Sequence, residues 1–488
     1  MLPPAGSCRG CRSRDQDIHI LQAYIDKLEA DNARLNRRCA RLKKDNQRLR
    51  SELDEAQRQP HRQAGAFRRA KLKKRRKKSG RRKGHPAELR PTPTPTQIDR
   101  VIEVPIRLCP TCNVELVDPK INVQYQTDLP PIVPIVTQFN IESGFCPCCQ
   151  QRHQGRHAEQ ISDAVGAAGN TLGPVVLTMA AELKHRLGVS YRKITDFFES
   201  YCNLHVALAT LVRAEKRLTE LAKPTYDLLI DALRRSNIVH ADETGWRVGA
   251  VNAWLWVFTN KDVTVYTIRT GKGARGHEVP QEILGPDFDG WLIVDGFSAY
   301  TVLEYAMGQC NAHPLRRAKD LSESAAPQDK PCFDELIALL QEAIGLAERR
   351  EELTSEGYAR RVREVEERLD RWLLTVSRRR EPSPELTRLA NHILNHYDEW
   401  LVFLHEPEVP ATNNHAERMI RPAVITRKVG GCNKNLLGAL VHSVLSSIMV
   451  TCRQQGEKFL NLARHLWQGG QPQAIAIVPP PEPRAGSA

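Results

Sequence analysis

No run of about 18 or more consecutive apolar residues stands out in the 488-residue chain, so a membrane-spanning helix is not expected. Met1 to Ser7 carry no basic segment followed by an apolar stretch, so no secretory signal is expected either. The 13 cysteines are odd in number. Without an export signal, that usage fits a reducing cytoplasm, where paired cysteines more often hold metal than form disulfides. Beyond residue 100 there is no excess of positive charge. Residues 1–100 hold 28 Lys/Arg and 11 Asp/Glu, a balance of +17, which leaves −3 for the remainder of a chain whose net charge is +14. A basic arm on a near-neutral body points to a polyanion partner, and nucleic acid is the usual one.

Leu21, Leu28, Leu35, Leu42 and Leu49 recur every seven residues, and Ile18, Ile25, Asn32, Cys39, Asn46 and Leu53 fill the other seam position. This spacing predicts a leucine-zipper coiled coil. Asn32 and Asn46 at the a position favour two parallel, in-register strands, hence a homodimer. Residues 68–83 follow, with 12 of 16 positions Lys or Arg and no apolar stripe. They include Arg75, Arg76, Lys77, Lys78, Arg81, Arg82 and Lys83, suited to phosphate. The basic run lies C-terminal to the zipper, the reverse of the order in leucine-zipper transcription factors. Pro91 to Thr96 read as an extended linker.

Cys109 and Cys112 form one CxxC pair, and Cys146 and Cys149 a second, with Cys148 a substitute for Cys149. Two such knuckles suit a tetrahedral, all-cysteine Zn²⁺ site of ribbon type, because each puts two thiolates on one tight turn. Cys8 and Cys11 have no nearby partner pair. Residues 171–235 are helical by pattern. Tyr191 to Phe198 and Val206 to Val212 flank Tyr201–Leu204 in a spacing like that of a helix-turn-helix. From residue 236 the pattern becomes α/β. Ile238 to Asp242 and Trp291 to Asp295 are apolar strands each ending in Asp, with Ala253 to Thr259 and Val263 to Ile268 between them. Residues 331–404 are helical and charged, an insertion before a last helical stretch that begins at Thr412 to Arg427.

Carboxylates at strand ends are held rigidly at the edge of a sheet. Phosphodiester chemistry needs in-line geometry and positive charge on the attacking and leaving oxygens, which two Mg²⁺ ions supply. Such hard cations take Asp and Glu oxygens. Asp242, Asp295 and Glu417 therefore make a minimal candidate site. On a helix Asn413, Glu417 and Arg421 share a face, with Asn414, Arg418, Arg427 and Lys428 nearby as candidate DNA contacts. Glu243, beside Asp242, would face the other way on a strand, as a decoy or auxiliary ligand.

Three stretches carry a resemblance: His240-Ala-Asp-Glu-Thr244, Gly290-Trp-Leu-Ile-Val-Asp-Gly296 with Tyr300, and Thr412-Asn-Asn-His-Ala-Glu-Arg418 with Ile420-Arg-Pro422. Together with Thr451 to Gly456 and the basic Arg82-Lys-Gly-His85 segment, they resemble the insertion sequence 66 family of bacterial transposases over about residues 18–470. The spacing after Ala312-His313 departs from the family's, since Pro314-Leu315 precede Arg316-Arg317. The resemblance implies a ribonuclease-H-like core with Asp242, Asp295 and Glu417 as its DDE triad. It also implies Mg²⁺ (or Mn²⁺), binding to terminal inverted repeats of double-stranded DNA, strand cleavage and strand transfer, and companion proteins from the same element. Within that reading Asp242 bridges both ions.

The expected fold is thus multidomain α/β. A leucine-zipper coiled coil spans 1–60, a basic arm and Pro-rich linker 61–100, and a zinc-binding ribbon 101–160. A helical DNA-binding domain spans 161–235. The catalytic core spans 236–330 and 411–470 around a helical insertion at 331–410, and a disordered tail spans 471–488. The expected location is the bacterial cytoplasm, at the nucleoid. The competing reading is a zipper-dimeric DNA-binding regulator without catalysis. It would share the zipper, basic run and cysteine pairs but would not need three acids in these settings, and metal-dependent cleavage separates the two.

Overall fold

The computed structural model describes residues 90–477 apart from Pro119 and Ser298. The expected coiled coil, the basic run with Arg75 to Lys83, Cys8, Cys11 and the tail beyond 477 lie outside the described residues. Contacts divide the chain into Met1–Pro91 and Thr92–Ala488. The helices and strands among the described residues belong to the second unit.

Strands β1 (Ser143–Cys146) and β2 (Gln151–Gln154) form a small antiparallel hairpin. Helices α1 (Pro174–His185), α2 (Tyr191–Cys202) and α3 (Leu208–Arg234) follow. The central sheet contains β3 (Ile238–Val248), β4 (Val251–Thr259), β5 (Thr264–Thr270), β6 (Trp291–Val294) and β7 (Ala306–Gln309), with α4 (Glu278–Leu284) between β5 and β6. Its order is β5-β4-β3-β6-β7. The first three strands are antiparallel neighbours, and β6 and β7 add in parallel.

Local chemistry explains the meander. β4 and β5 are rich in β-branched and aromatic residues, which fit a pleated, half-buried surface. A two-residue turn joins Val248 to Val251, and Gly249 takes φ +59 there, which a side chain rarely tolerates. At the next turn Asn260 Oδ1 accepts from the backbone N–H groups of Asp262 and Val263.

Alternation along the strands separates two faces. Val239, Ala241, Trp256 and Phe258 pack against Leu218, Leu221, Ala222, Leu229 and Leu233 of α3. The other face, with Trp246, Val248, Leu255 and Val257, packs on the helix α11 (Asn414–Gly430). The second helix of the expected helix-turn-helix begins at Leu208 and continues to Arg234. It buries its apolar stripe on the same sheet that carries Asp242.

Helix α5 (Ala312–Ser322) packs on α6 (Lys330–Glu348), followed by α7 (Ser355–Ser377), α8 (Pro384–Leu394) and the short α9 (Tyr397–Trp400) and α10 (Val402–His405). These helices form a core around Leu336, Leu340, Leu369 and Trp372 that Ile293 of β6 joins.

Helix α12 (Leu436–Gln454) precedes α13 (Phe459–Gly469). By length and composition α12 could cross a membrane, a feature the sequence reading did not expect, yet 67% of its apolar window is buried in the protein. It lies along edge strand β5. The backbone N–H of Tyr266 donates to Ser447 Oγ at 2.8 Å and that of Thr264 to Thr451 Oγ1 at 3.0 Å. Two helix hydroxyls thus satisfy donors that an open edge would expose.

Candidate active site

Asp242 lies inside β3 and does not close it. Parallel pairing with β6 stops at His240 opposite Ile293, but antiparallel pairing with β4 continues through Asp242 opposite Val257 to Val248. Carrying the parallel register two residues further would set Asp242 level with Asp295, and the like charge of Asp295 acts on Asp242. Asp295 follows β6 directly and its Oδ1 accepts from Phe297 N at 3.2 Å. The chain then turns at Gly296, with φ +75. A Cβ there would meet His392 Cε1 of α8 at 2.7 Å, so the approach of the insertion to Asp295 requires glycine.

Glu417 arrives from the first turn of α11, where a carboxylate also complements the helix dipole. The start of this helix is tied to β3. His240 Nδ1 donates to Asn413 Oδ1 at 2.9 Å, and Asn413 Nδ2 donates to Ala241 O at 2.7 Å. The Asn413 backbone N–H meets Cys310 Sγ at 3.0 Å. Burial holds His240 down at about 4, so the imidazole is neutral at neutral pH and its single N–H serves this bond. The tie fixes Asn413 two residues from Asp242 on the strand side and one helical turn from Glu417.

The three carboxylates share one electrostatic environment. Asp242 is pushed up to about 7, first by burial, then by the like charge of Asp295 and of Glu243, with Glu417 adding less. As a set of three they do not converge within 4.8 Å. The metal-ligand atoms that do so among the described residues belong to Cys310, His313 and Glu417. His313 Nε2 lies 3.5 Å from Glu417 Oε1. Despite that contact, Glu417 Oε1 and His313 Nδ1 are buried without hydrogen-bond partners. Three acids repel one another, and the imidazole is the complementary group nearest to Glu417. A divalent cation fits these residues, since the carboxylates of Asp295 and Glu417 act on that of Asp242 and a Glu417 oxygen is buried with no partner.

Glu243 faces the opposite side of β3. Its side chain is 2% exposed, Arg275 donates to its Oε1 from Nη2 at 2.8 Å, and Tyr300 donates to its Oε2 at 3.2 Å. Arg275 also lies over the rings of Trp254 and Phe297. Glu243 is therefore a paired structural acid. His415 is likewise engaged, with Nε2 2.7 Å from Asn260 O.

The expected DNA contacts divide. Asn414, Arg418, Arg421 and Lys428 form one exposed stripe of α11. Asn413 is 1% exposed with both amide atoms committed, which removes its side chain from direct DNA contact. Arg427 donates to Thr244 Oγ1 at 3.1 Å and to Gly245 O, tying the far end of α11 to β3. Both ties hold the helix against β3.

The cysteine pairs stand on separate turns. Cys109 is lowered to about 7 by backbone hydrogen bonds from Cys112 and Thr111, and Cys146 is lowered by those of Cys149 and Cys148. Amides thus favour thiolate at each knuckle, the form that binds zinc. The two pairs are not gathered within 4.8 Å of one another. His153, missed in the sequence, lies 3.3 Å from Cys149 Sγ. Cys310 and Arg275 were also missed. Neither sits in a spacing that a one-dimensional pattern can flag, and only the glycines around Arg275 marked a tight loop.

Asp242 on β3, Asp295 just after β6 and Glu417 on α11 thus act on one another electrostatically. The family model described as Transposase IS66 family matches residues 169–440, more than half of the chain, and the chain belongs to that family. The match includes all three acids. Two proteins of Sinorhizobium fredii (strain NBRC 101917 / NGR234) are similar. "Uncharacterized protein y4qI" is 28% identical over 47% of this chain and 47% of its own length. "Uncharacterized protein y4jD" is 24% identical over 48% of this chain and 50% of its own. The chain thus spans about half the length of the curated relatives it matches.

Proposed function

We propose that this chain is the DDE transposase of an insertion sequence, with a ribonuclease-H-like catalytic core, acting at the bacterial nucleoid. In this reading it binds the element's terminal inverted repeats, cleaves a strand and joins the freed 3′ end to target DNA. The observation that carries it is the shared electrostatic environment of Asp242, Asp295 and Glu417, which come from β3, the end of β6 and α11. A sheet of order β5-β4-β3-β6-β7 with these acids is what the ribonuclease-H-like assignment rests on.

Mg²⁺ or Mn²⁺ held by Asp242, Asp295 and Glu417 supplies positive charge to the phosphoryl oxygens. The remaining work belongs to the chain. Asn413 and His240 position Glu417, while His313 lies against its carboxyl. Arg418 and Arg421, exposed beside it, bind DNA phosphates. Cys109, Cys112, Cys146 and Cys149 hold structural Zn²⁺ once the two knuckles are brought together. Zipper dimerisation and companion proteins from the element complete the assembly.

The test is cleavage of end-labelled element DNA with Mg²⁺, followed by joining to a supercoiled target. Asp242→Asn is expected to bind the ends and to cleave nothing. Cleavage without joining would make the chain a plain nuclease. Full cleavage by Asp242→Asn would overturn the triad.

A further inference from the structure

A cavity of about 420 Å³ opens between the end of α1, α11 and the middle of α12. Three arginines line it, one from each wall: Arg186, Arg418 and Arg453. No Asp or Glu is among its lining residues. Among the described residues neither Arg418 nor Arg453 has an ion-pair partner, and Arg186 keeps one loose contact, 3.7 Å to Glu182. Arg186 Nε is buried with no hydrogen-bond partner at all. Leaving a guanidinium donor unmet in a buried position is costly unless an acceptor arrives. The inner wall is different in kind. It includes Met449, Tyr266, Ala423, Ser446 and the imidazole of His442, all buried. Burial and the neighbouring His185 hold His442 well below its ordinary value, so this wall carries no positive charge near neutral pH.

A largely apolar interior of this size under a rim of three guanidinium groups, two of them without an ion-pair partner among the described residues, suits a ligand with a flat, weakly polar body and an anionic end. A nucleotide has that form. Position selects its source: Arg418 on the rim lies on α11, the helix that also carries Glu417.

We propose that this cavity receives one unstacked nucleotide of the DNA strand whose phosphodiester lies at Asp242, Asp295 and Glu417, with the base inside and its phosphates on Arg186, Arg418 and Arg453. Taking up a base would fix the strand end relative to Glu417 and would distinguish opened ends from intact duplex, because a base must leave its stack to enter. The inference rests on the transposase reading for the position of the strand, but its test does not require catalysis.

The experiment uses the full chain in chelator and two probes of equal duplex length. One is blunt, and the other bears a single-stranded 3′ extension containing 2-aminopurine. Tighter binding of the extension and a change in 2-aminopurine fluorescence are expected. Arg453→Ala on the rim and Ala423→Phe, which fills the cavity, should each weaken the extended probe about tenfold, the scale of one lost base contact, and leave the blunt duplex unchanged. If Ala423→Phe fails to fold by circular dichroism, Arg453→Ala carries the test. Unchanged extension binding in folded variants overturns the proposal, as does equal loss for both probes. Displacement of the extension by free dAMP at matching concentration assigns the cavity to mononucleotides and overturns it too. Failure of the transposase reading would show separately, as cleavage insensitive to Asp242→Asn with extension binding intact.

Discussion

Replacing Asp242 by Asn should stabilise the metal-free protein at alkaline pH, the reverse of the usual effect of altering a buried polar residue. The folded carboxyl sits at about 7, above its ordinary value of 3.8. A raised acid binds its proton more tightly in the folded than in the unfolded chain, so stability falls as pH rises from the unfolded value to the folded one. Between about pH 5 and pH 8 that loss amounts to about 3 kcal/mol, at about 1.4 kcal/mol per unit. Asparagine keeps the shape and cannot ionise, so the variant escapes the loss and relieves the repulsion from Asp295 and Glu417. Thermal and urea melts of both proteins, with metal chelated, provide the assay. Wild type should lose stability relative to Asp242→Asn as pH rises, while the variant loses all strand cleavage at any pH. A stability difference that does not change with pH would refute the electrostatic reasoning, whatever the activity.

The remaining predictions follow from the same geometry. Mg²⁺ at about 100 times its dissociation constant should raise wild-type stability by about 2.7 kcal/mol at alkaline pH, and Glu417→Gln should reduce that gain, read by the same melts. Asn413→Ala strands the His240 N–H and the Ala241 carbonyl and should cost about 1–3 kcal/mol. Its cleavage rate should fall more than its end binding, and equal loss of both would deny it a positioning role. Gly296→Ala forces a Cβ towards His392 at a positive φ and should cost about 1–3 kcal/mol of stability in denaturant melts. Maleimide at neutral pH should label Cys109 ahead of buried Cys310, whose thiol burial raises, and added Zn²⁺ should protect Cys109, Cys112, Cys146 and Cys149 together. Protection of one pair without the other would rule out the four-cysteine site.

Much of this protein can be read along one dimension, where the relevant physics is local. Strand segments show in their β-branched and aromatic runs. Asp242 and Asp295 stand out because each adjoins an apolar strand, and Glu417 because helical spacing puts it beside basic residues. Family motifs name the same three acids. Several things cannot be read that way. The sequence does not tell that β3 continues past Asp242, since this follows from pairing with β4. It does not separate Asn413 from Asn414, although one is buried as a strut and the other exposed, because that depends on which side of α11 meets β3. Helix α12 reads as apolar and proves to be the cover of an edge strand. The pairing of Glu243 with Arg275 and the approach of His313 and Cys310 to Glu417 join residues far apart in the chain. Propensity and periodicity act over a few residues and are written in the sequence. Which face meets which, and which charge ends beside which, is decided by packing the whole sheet and its helices at once.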